Sequence, residues 1–296
     1  MPNLLPEIRT QKEHNYVAFF LTFACNLRCP YCINWHNSSP KPRHKKTKPL
    51  EAGDWIEAAN RLVLRKDLPL TLQGGEPTAY KGFYRLVNEV KKDIQMDLLT
   101  NMMFDVDEFI RNVPVWRFNR IAPYGPIRVS YHPNQNDIND LIRKAAKLQN
   151  AGFKLGIYGI LHPDENIRSL ILRAQELCLK EGIDFRTKEF LGVHENKLYG
   201  TFKYPDSVSS SKIKRSECRT TEVIVDPSGG VYKCHSDLYL GRNPIANILD
   251  ENFTIGAINK FRECSFYGDC NPCDVKVKTN RLQIFGHTSV EIRNIR

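Results

Sequence analysis

Cys25-Asn26-Leu27-Arg28-Cys29-Pro30-Tyr31-Cys32 places three thiols in one short loop. A cubane iron–sulfur cluster normally takes four thiolates, so three leave one iron without a protein ligand. An open coordination position on a metal is where chemistry can happen. A zinc knuckle is the alternative, but zinc sites usually pair cysteine dyads with a further ligand at a regular distance, and this loop has no fourth cysteine. Ahead of the loop, Phe19-Phe20-Leu21-Thr22-Phe23 is an apolar, aromatic-rich run of strand length.

A second motif, Gly74-Gly75-Glu76-Pro77, follows the short apolar run Pro69-Leu70-Thr71-Leu72. Two glycines let backbone approach a ligand closely, and the glutamate can accept hydrogen bonds from an ammonium group. Alone, such a turn is an ordinary strand-to-helix connection. Behind a three-cysteine loop it becomes part of a joint signal.

Strand-like runs recur near residues 17–23, 68–72, 96–100, 127–131, 153–161 and 183–191. Helical patterns fall between most of them, near 52–65, 80–92, 106–112, 135–150 and 166–181. Ile138, Leu141, Ile142, Ala145 and Leu148 show amphipathic spacing, and Gly152 and Gly182 read as C-terminal helix caps. Strands alternating with helices imply a parallel sheet. In βα barrels the active residues project from the C-terminal strand ends, where both motifs fall. His132 and His162 lie at such ends, able to bind polar substrate groups or move a proton. Lys188 and Glu189 are secondary candidates, and Cys178 reads as core.

The cysteine loop and the Gly-Gly-Glu turn together resemble the radical S-adenosylmethionine (SAM) family. The resemblance implies an α/β fold, a partial (β/α)6 TIM-like barrel. It implies a [4Fe–4S] cluster on Cys25, Cys29 and Cys32, whose open iron is chelated by SAM. SAM is then cleaved to a 5′-deoxyadenosyl radical that abstracts hydrogen from a substrate. It further implies that Tyr31 lies against the adenine, that Gly74, Gly75 and Glu76 hold the SAM amino group, and that Asn101 and Ser130 assist.

The C-terminal part carries a second cysteine field: Cys218, Cys234, Cys264, Cys270 and Cys273. Thr221 to Lys233 reads as two strands joined by a Pro-Ser-Gly-Gly turn, a hairpin that brings its flanking cysteines together. The field resembles the SPASM and shorter twitch modules of radical SAM enzymes, small β-hairpin/α domains for an auxiliary cluster. The Gly229-to-Cys234 spacing matches the SPASM element, but a full SPASM domain has more cysteines. One auxiliary [4Fe–4S] cluster on Cys218, Cys234, Cys270 and Cys273 is therefore expected, with zinc as the alternative. Cys264 is left over, either as a structural thiol or as a catalytic hydrogen donor, with His132 as the other catalytic candidate.

The expected organisation is a radical SAM core over 1–193, a polar, serine-rich linker over 194–217, and the auxiliary-cluster domain over 218–296. Hydrophobic content of 41% and charged content of 26% are those of a globular protein. No apolar run is long enough to span a bilayer and no secretory signal is evident. Nine cysteines then argue for metal in a reducing, cytoplasmic setting. The net charge of +10 is clustered at Lys41, Arg43, Lys45, Lys46 and Lys48, and again at Lys212, Lys214, Arg215 and Arg219. Such clusters suit an anionic small-molecule substrate or an acidic flavodoxin- or ferredoxin-type electron donor, unless they are merely solvated loops. A nucleic-acid partner is disfavoured, because no aromatic-interleaved pattern is present.

These features predict a radical SAM enzyme of oxidoreductase or epimerase type acting on a sugar, aminosugar or nucleotide-like molecule. Peptide modification is the runner-up: its enzymes commonly carry an N-terminal leader-binding segment, for which the residues before the first strand are too few. The rival of another class is a non-catalytic iron–sulfur or zinc protein.

Overall fold

The computed structural model describes residues 6–32, 47–278 and 287–295. The basic run Lys41 to Lys46 lies outside them. Six parallel strands form the frame: β1 (Tyr16–Thr22), β2 (Leu70–Gly74), β3 (Met96–Thr100), β4 (Ile127–Tyr131), β5 (Leu155–Leu161) and β6 (Phe185–Glu189). Helices α1 (Ala52–Arg61), α2 (Phe83–Glu89), α3 (Val106–Asn112), α4 (Ile138–Asn150) and α5 (Glu165–Lys180) connect them. Asp105, Asp137 and Asp164 cap α3, α4 and α5 by accepting from backbone amides of the first turn.

Strand alternation sorts the side chains. Val17, Phe19, Leu21, Leu70, Leu72, Leu98, Ile127, Val129 and Ile157 pack outward under the helices in one core. Ala18 and Phe20 turn inward with Ile224, Tyr232 and Leu238. The inner face carries polar groups deeper down. Asp97, fully buried, takes Arg120 at 2.7 and 2.9 Å, Arg128 at 3.4 Å and the Tyr124 hydroxyl at 3.0 Å, closing the N-terminal end of the strands.

The C-terminal part does not stand apart from this sheet. It contains β7 (Lys214–Thr220), β8 (Glu222–Val225), β9 (Gly230–Tyr232), α6 (His235–Leu240), β10 (Ala246–Asn247), β11 (Arg262–Tyr267), α7 (Pro272–Val275) and β12 (Val290–Arg293). β8 and β9 are the expected hairpin. Its turn is set by buried Asp226, whose carboxylate accepts from Ser228 N, Ser228 Oγ and Gly230 N. β8 also pairs in parallel with β1, Val223 opposite Val17, so one nine-stranded sheet runs β10-β9-β8-β1-β2-β3-β4-β5-β6. A separate three-stranded sheet, β11-β7-β12, carries Cys218 and Cys264. The 194–217 stretch, expected as a linker, holds most of a small hairpin (Gly192–His194 with Lys197–Tyr199), two 3-10 turns and the start of β7. Two of the four cations of the second basic group are ion-paired, Arg215 with Glu263 and Arg219 with Glu291.

Candidate active site

The loop after β1 is fastened from below. Gly75 N donates to Thr22 O (2.7 Å) and Glu76 N to Ala24 O (2.8 Å). A Cβ at Gly74 would stand 2.1 Å from Thr22 O, and one at Gly75 2.2 Å from Ala24 O. The two glycines therefore let the strand end press against the base of the cysteine loop.

Glu76 is buried and almost saturated. Its Oε1 accepts from Thr78 N, Thr78 Oγ1 and Thr100 Oγ1, and its Oε2 from Asn101 N at 2.7 Å. Burial pushes the carboxyl up, and these donors pull it back. Oε2 keeps capacity for one more donor. The Asn101 side chain continues the line, donating to Asn26 Oδ1 (2.6 Å) and to Cys25 Sγ (3.7 Å). Leu27 N also points at Cys25 Sγ. Burial first, and then the neighbouring Cys32 and Cys25, raise the Cys29 thiol to about 12. Thiols gathered around Cys29 in this way suit a cationic iron centre that neutralises them together.

Tyr31 stands over the loop with its ring 5.7 Å from His132 and 5.5 Å from His162, and its hydroxyl 3.4 Å from His132 Nδ1. Burial, aided by the charge of Lys188, lowers His132 to about 4, so the imidazole is neutral near pH 7. Ser130 lies one turn of the pleat below His132 on β4, opposite Tyr158 of β5. His162 accepts from Asp164 N and packs on Phe190 and His194.

In the C-terminal part, Cys218, Cys234, Cys264 and Cys270 line one pocket. Cys218 and Cys264 are diagonal neighbours across β7 and β11. Cys218 hydrogen-bonds Cys264, which raises the Cys218 pKa and lowers that of Cys264. Lys233 and Arg242 also line the pocket and ion-pair with Asp237. Cys273 is not among the lining residues. Burial raises its thiol, while Lys276 and Lys188 oppose the rise. Between the two cysteine regions stands half-buried Tyr239, packed on Phe23 and His235, its phenol pushed up by burial and then by Cys273 and Cys32. Sequence reading missed Tyr239, Tyr158, Arg128 and Gln73. For the three strand residues the signal was the period-2 alternation of polar positions within apolar strands.

Among the described residues, no three His, Cys, Asp or Glu side chains converge on a point where they could hold a single metal ion. A zinc site needs its sulfurs at about 2.3 Å from the metal. Three thiols in one loop, and four around one pocket, are donor sets of the kind that iron–sulfur clusters take.

The radical SAM superfamily profile matches residues 19–174, more than half of the chain. A GTP 3′,8-cyclase of Pelotomaculum thermopropionicum is 38% identical over 80 residues, covering 27% of this chain and 24% of the cyclase. The molybdenum cofactor biosynthesis protein moc-5 of Caenorhabditis elegans is 24% identical over 216 residues, 67% of this chain and 35% of that protein. The chain thus spans about a quarter to a third of these relatives' length. Among solved structures, anSMEcpe with bound AdoMet and Kp18Cys peptide superposes with a TM-score of 0.54 at 14% identity, covering 86% of this chain and 80% of that one. Streptococcus suis SuiB bound to precursor peptide SuiA gives 0.51 at 14% identity, covering 81% and 63%. With this fold, this loop and this profile match, the chain belongs to the radical SAM superfamily.

Proposed function

We propose that this radical SAM enzyme abstracts hydrogen from a polar small molecule, of sugar, aminosugar or nucleotide type, in a dehydrogenation or epimerisation, with a second [4Fe–4S] cluster in its C-terminal part. The observation that carries the reading is the line Glu76–Asn101–Cys25. It sets a buried carboxylate oxygen with one free acceptor position directly behind the cysteine loop, where the SAM ammonium fits. A plain electron carrier has no use for it. When bound at Cys25, Cys29 and Cys32, the cluster supplies the one-electron reduction of SAM. The residues then divide the work. Asn101 orients Cys25, Tyr31 offers its ring to the adenine, Ser130 lies in reach of the ribose or carboxylate, and neutral His132 accepts or relays a proton.

For the auxiliary cluster we propose Cys218, Cys234, Cys264 and Cys270. Cys264 thereby becomes a ligand in place of a hydrogen donor, and Cys273 is left outside the set. Tyr239 packs against Phe23, close to the cysteine loop, and against His235, next to Cys234, and suits electron transfer out of an oxidised substrate. The cyclase relatives favour a nucleotide-type substrate. The peptide-bound structures of the same fold support the second reading, peptide modification. All nine cysteines are free thiols, which supports a reducing cytoplasm and a flavodoxin- or ferredoxin-type donor. Among the described residues no helix is long and apolar enough to cross a membrane.

Anaerobic reconstitution tests this reading. The expected result is about eight iron per chain and 5′-deoxyadenosine on adding SAM and dithionite, lost in Cys29→Ala. Glu76→Ala should abolish SAM binding with the cluster intact. Unchanged SAM affinity in that variant would establish the non-catalytic binding protein instead.

A further inference from the structure

One buried amide ties together the backbone of three site residues. Asn136 lies in the turn between β4 and α4, and its side chain is buried. Its Oδ1 accepts from His132 N at 2.8 Å. Its Nδ2 donates to Ser130 O at 3.0 Å and to Asn101 O at 3.5 Å. His132 O accepts in return from the backbone amides of Gln135 and Asn136, so the turn closes around this side chain.

These partners fix both the orientation and the type of the residue. Two carbonyls need donors and one N–H needs an acceptor, and a short amide offers both on one planar group. A carboxylate there would set its charge against two carbonyl oxygens. An aliphatic residue would leave buried backbone groups unpaired, which folded proteins rarely tolerate.

The same turn grips the cysteine loop. Gln135 Oε1 accepts from Arg28 N at 3.0 Å, and His132 Nδ1 lies 3.4 Å from the Tyr31 hydroxyl. Asn101, held by its carbonyl, reaches Asn26 and Cys25 through its side chain. The turn after β4 therefore meets the loop directly at Arg28 and Tyr31, and through Asn101 at Asn26 and Cys25.

We propose that Asn136 is a positioning residue for SAM binding. By holding the backbone of Asn101, Ser130 and His132 at fixed spacing, it presents their side chains as one preformed unit. Its own polar atoms are spent on protein partners, so it acts through those residues and not by contact. This rests on the SAM-site reading above and deepens it. Loosening such a support by an ångström is enough to cost binding or rate.

The test uses the reconstituted protein, with SAM affinity and iron content measured on the same samples. Asn136→Asp keeps the acceptor for His132 N and loses both donors. It should weaken SAM binding about tenfold or more and leave the iron content unchanged. Combined with Asn101→Ala, it should weaken binding by clearly less than the product of the two separate factors, because both act through the same contacts. A purely structural role would multiply the factors. SAM affinity of Asn136→Asp within about twofold of the unsubstituted protein, or a full product in the double variant, would overturn the proposal. Glu76→Ala in the same series reports on the SAM site itself. Loss of SAM binding in Glu76→Ala alone would sink only the role of Asn136, whereas full binding by both variants would sink the SAM-site reading with it. Amide exchange of the unsubstituted protein is decisive even if a variant does not fold. SAM should slow exchange at His132 N about tenfold or more and leave Leu148 in α4 unchanged, and an unchanged His132 rate would overturn the proposal.

Discussion

Asn101 joins Glu76 to Cys25: its backbone amide donates to the Glu76 carboxylate at 2.7 Å while its side-chain amide points at the Cys25 sulfur from 3.7 Å. One residue thus sets the distance between the proposed SAM-ammonium acceptor and the first cluster thiol. Asn101→Ala keeps the backbone bond and removes the side-chain contacts, including that from Met103 N to Asn101 Oδ1. The expected cost is about 1–2 kcal/mol of stability. Iodoacetamide labelling of Cys25 in the cluster-free protein should become faster, while buried Cys178 stays protected.

The two readings of the C-terminal cysteines part on one pair of variants. Cys264→Ala should drop iron from about eight to about four per chain, whereas Cys273→Ala should retain about eight. The reverse pattern in iron and sulfide analysis would restore Cys273 as a ligand.

Gly75→Ala forces a methyl into the backbone at Ala24 O. It should cost roughly 3 kcal/mol or more and prevent stable loading of the neighbouring loop. Gly53, inside α1 with nothing within 4 Å of its missing Cβ, is the matched control. Gly53→Ala should raise stability by about 0.5–1 kcal/mol. Urea midpoints of the cluster-free proteins would show both.

His132 should make the fold acid-sensitive. Its pKa is lowered from the usual 6.5 to about 4, by burial first and Lys188 second. The unfolded chain therefore takes up a proton before the folded one does. The stability this group allows is present above about pH 6.5 and is lost as the pH falls towards 4. Between pH 7 and pH 5 the loss attributable to His132 is about 2 kcal/mol. His132→Gln should flatten the pH dependence of the urea midpoint by that amount. An equally steep profile in the variant would assign the acid sensitivity to other groups.

Most of the strands were legible because they read as apolar runs, and the helices between them because of amphipathic spacing and, in α3, α4 and α5, a capping aspartate. The cysteine loop and the Gly-Gly-Glu turn were legible because their residue types are rare in combination. What the two glycines touch was not. In the structure the space a Cβ would take at each is filled by the carbonyls of Thr22 and Ala24. The Cys270–Cys273 dyad looked like a local ligand pair. Cys270 lines the pocket with Cys218, Cys234 and Cys264, whereas Cys273, inside α7, is not among the lining residues. Asn136 sat in plain view in the turn after β4. Only the three-dimensional accounting of partners distinguishes it from an ordinary turn asparagine.

β1 has a neighbour on each edge: β2, which follows it within the barrel, and β8, contributed by residues 222–225. During synthesis the strand that leads into the cysteine loop therefore keeps one open edge until about three quarters of the chain has emerged. Such an edge invites wrong pairing while it waits, and pairing over so long a separation in sequence is slow. The two cysteine regions consequently mature together. The N-terminal loop gains its final scaffold only when the C-terminal hairpin docks, which ties cluster assembly at one end of the protein to completion of the other.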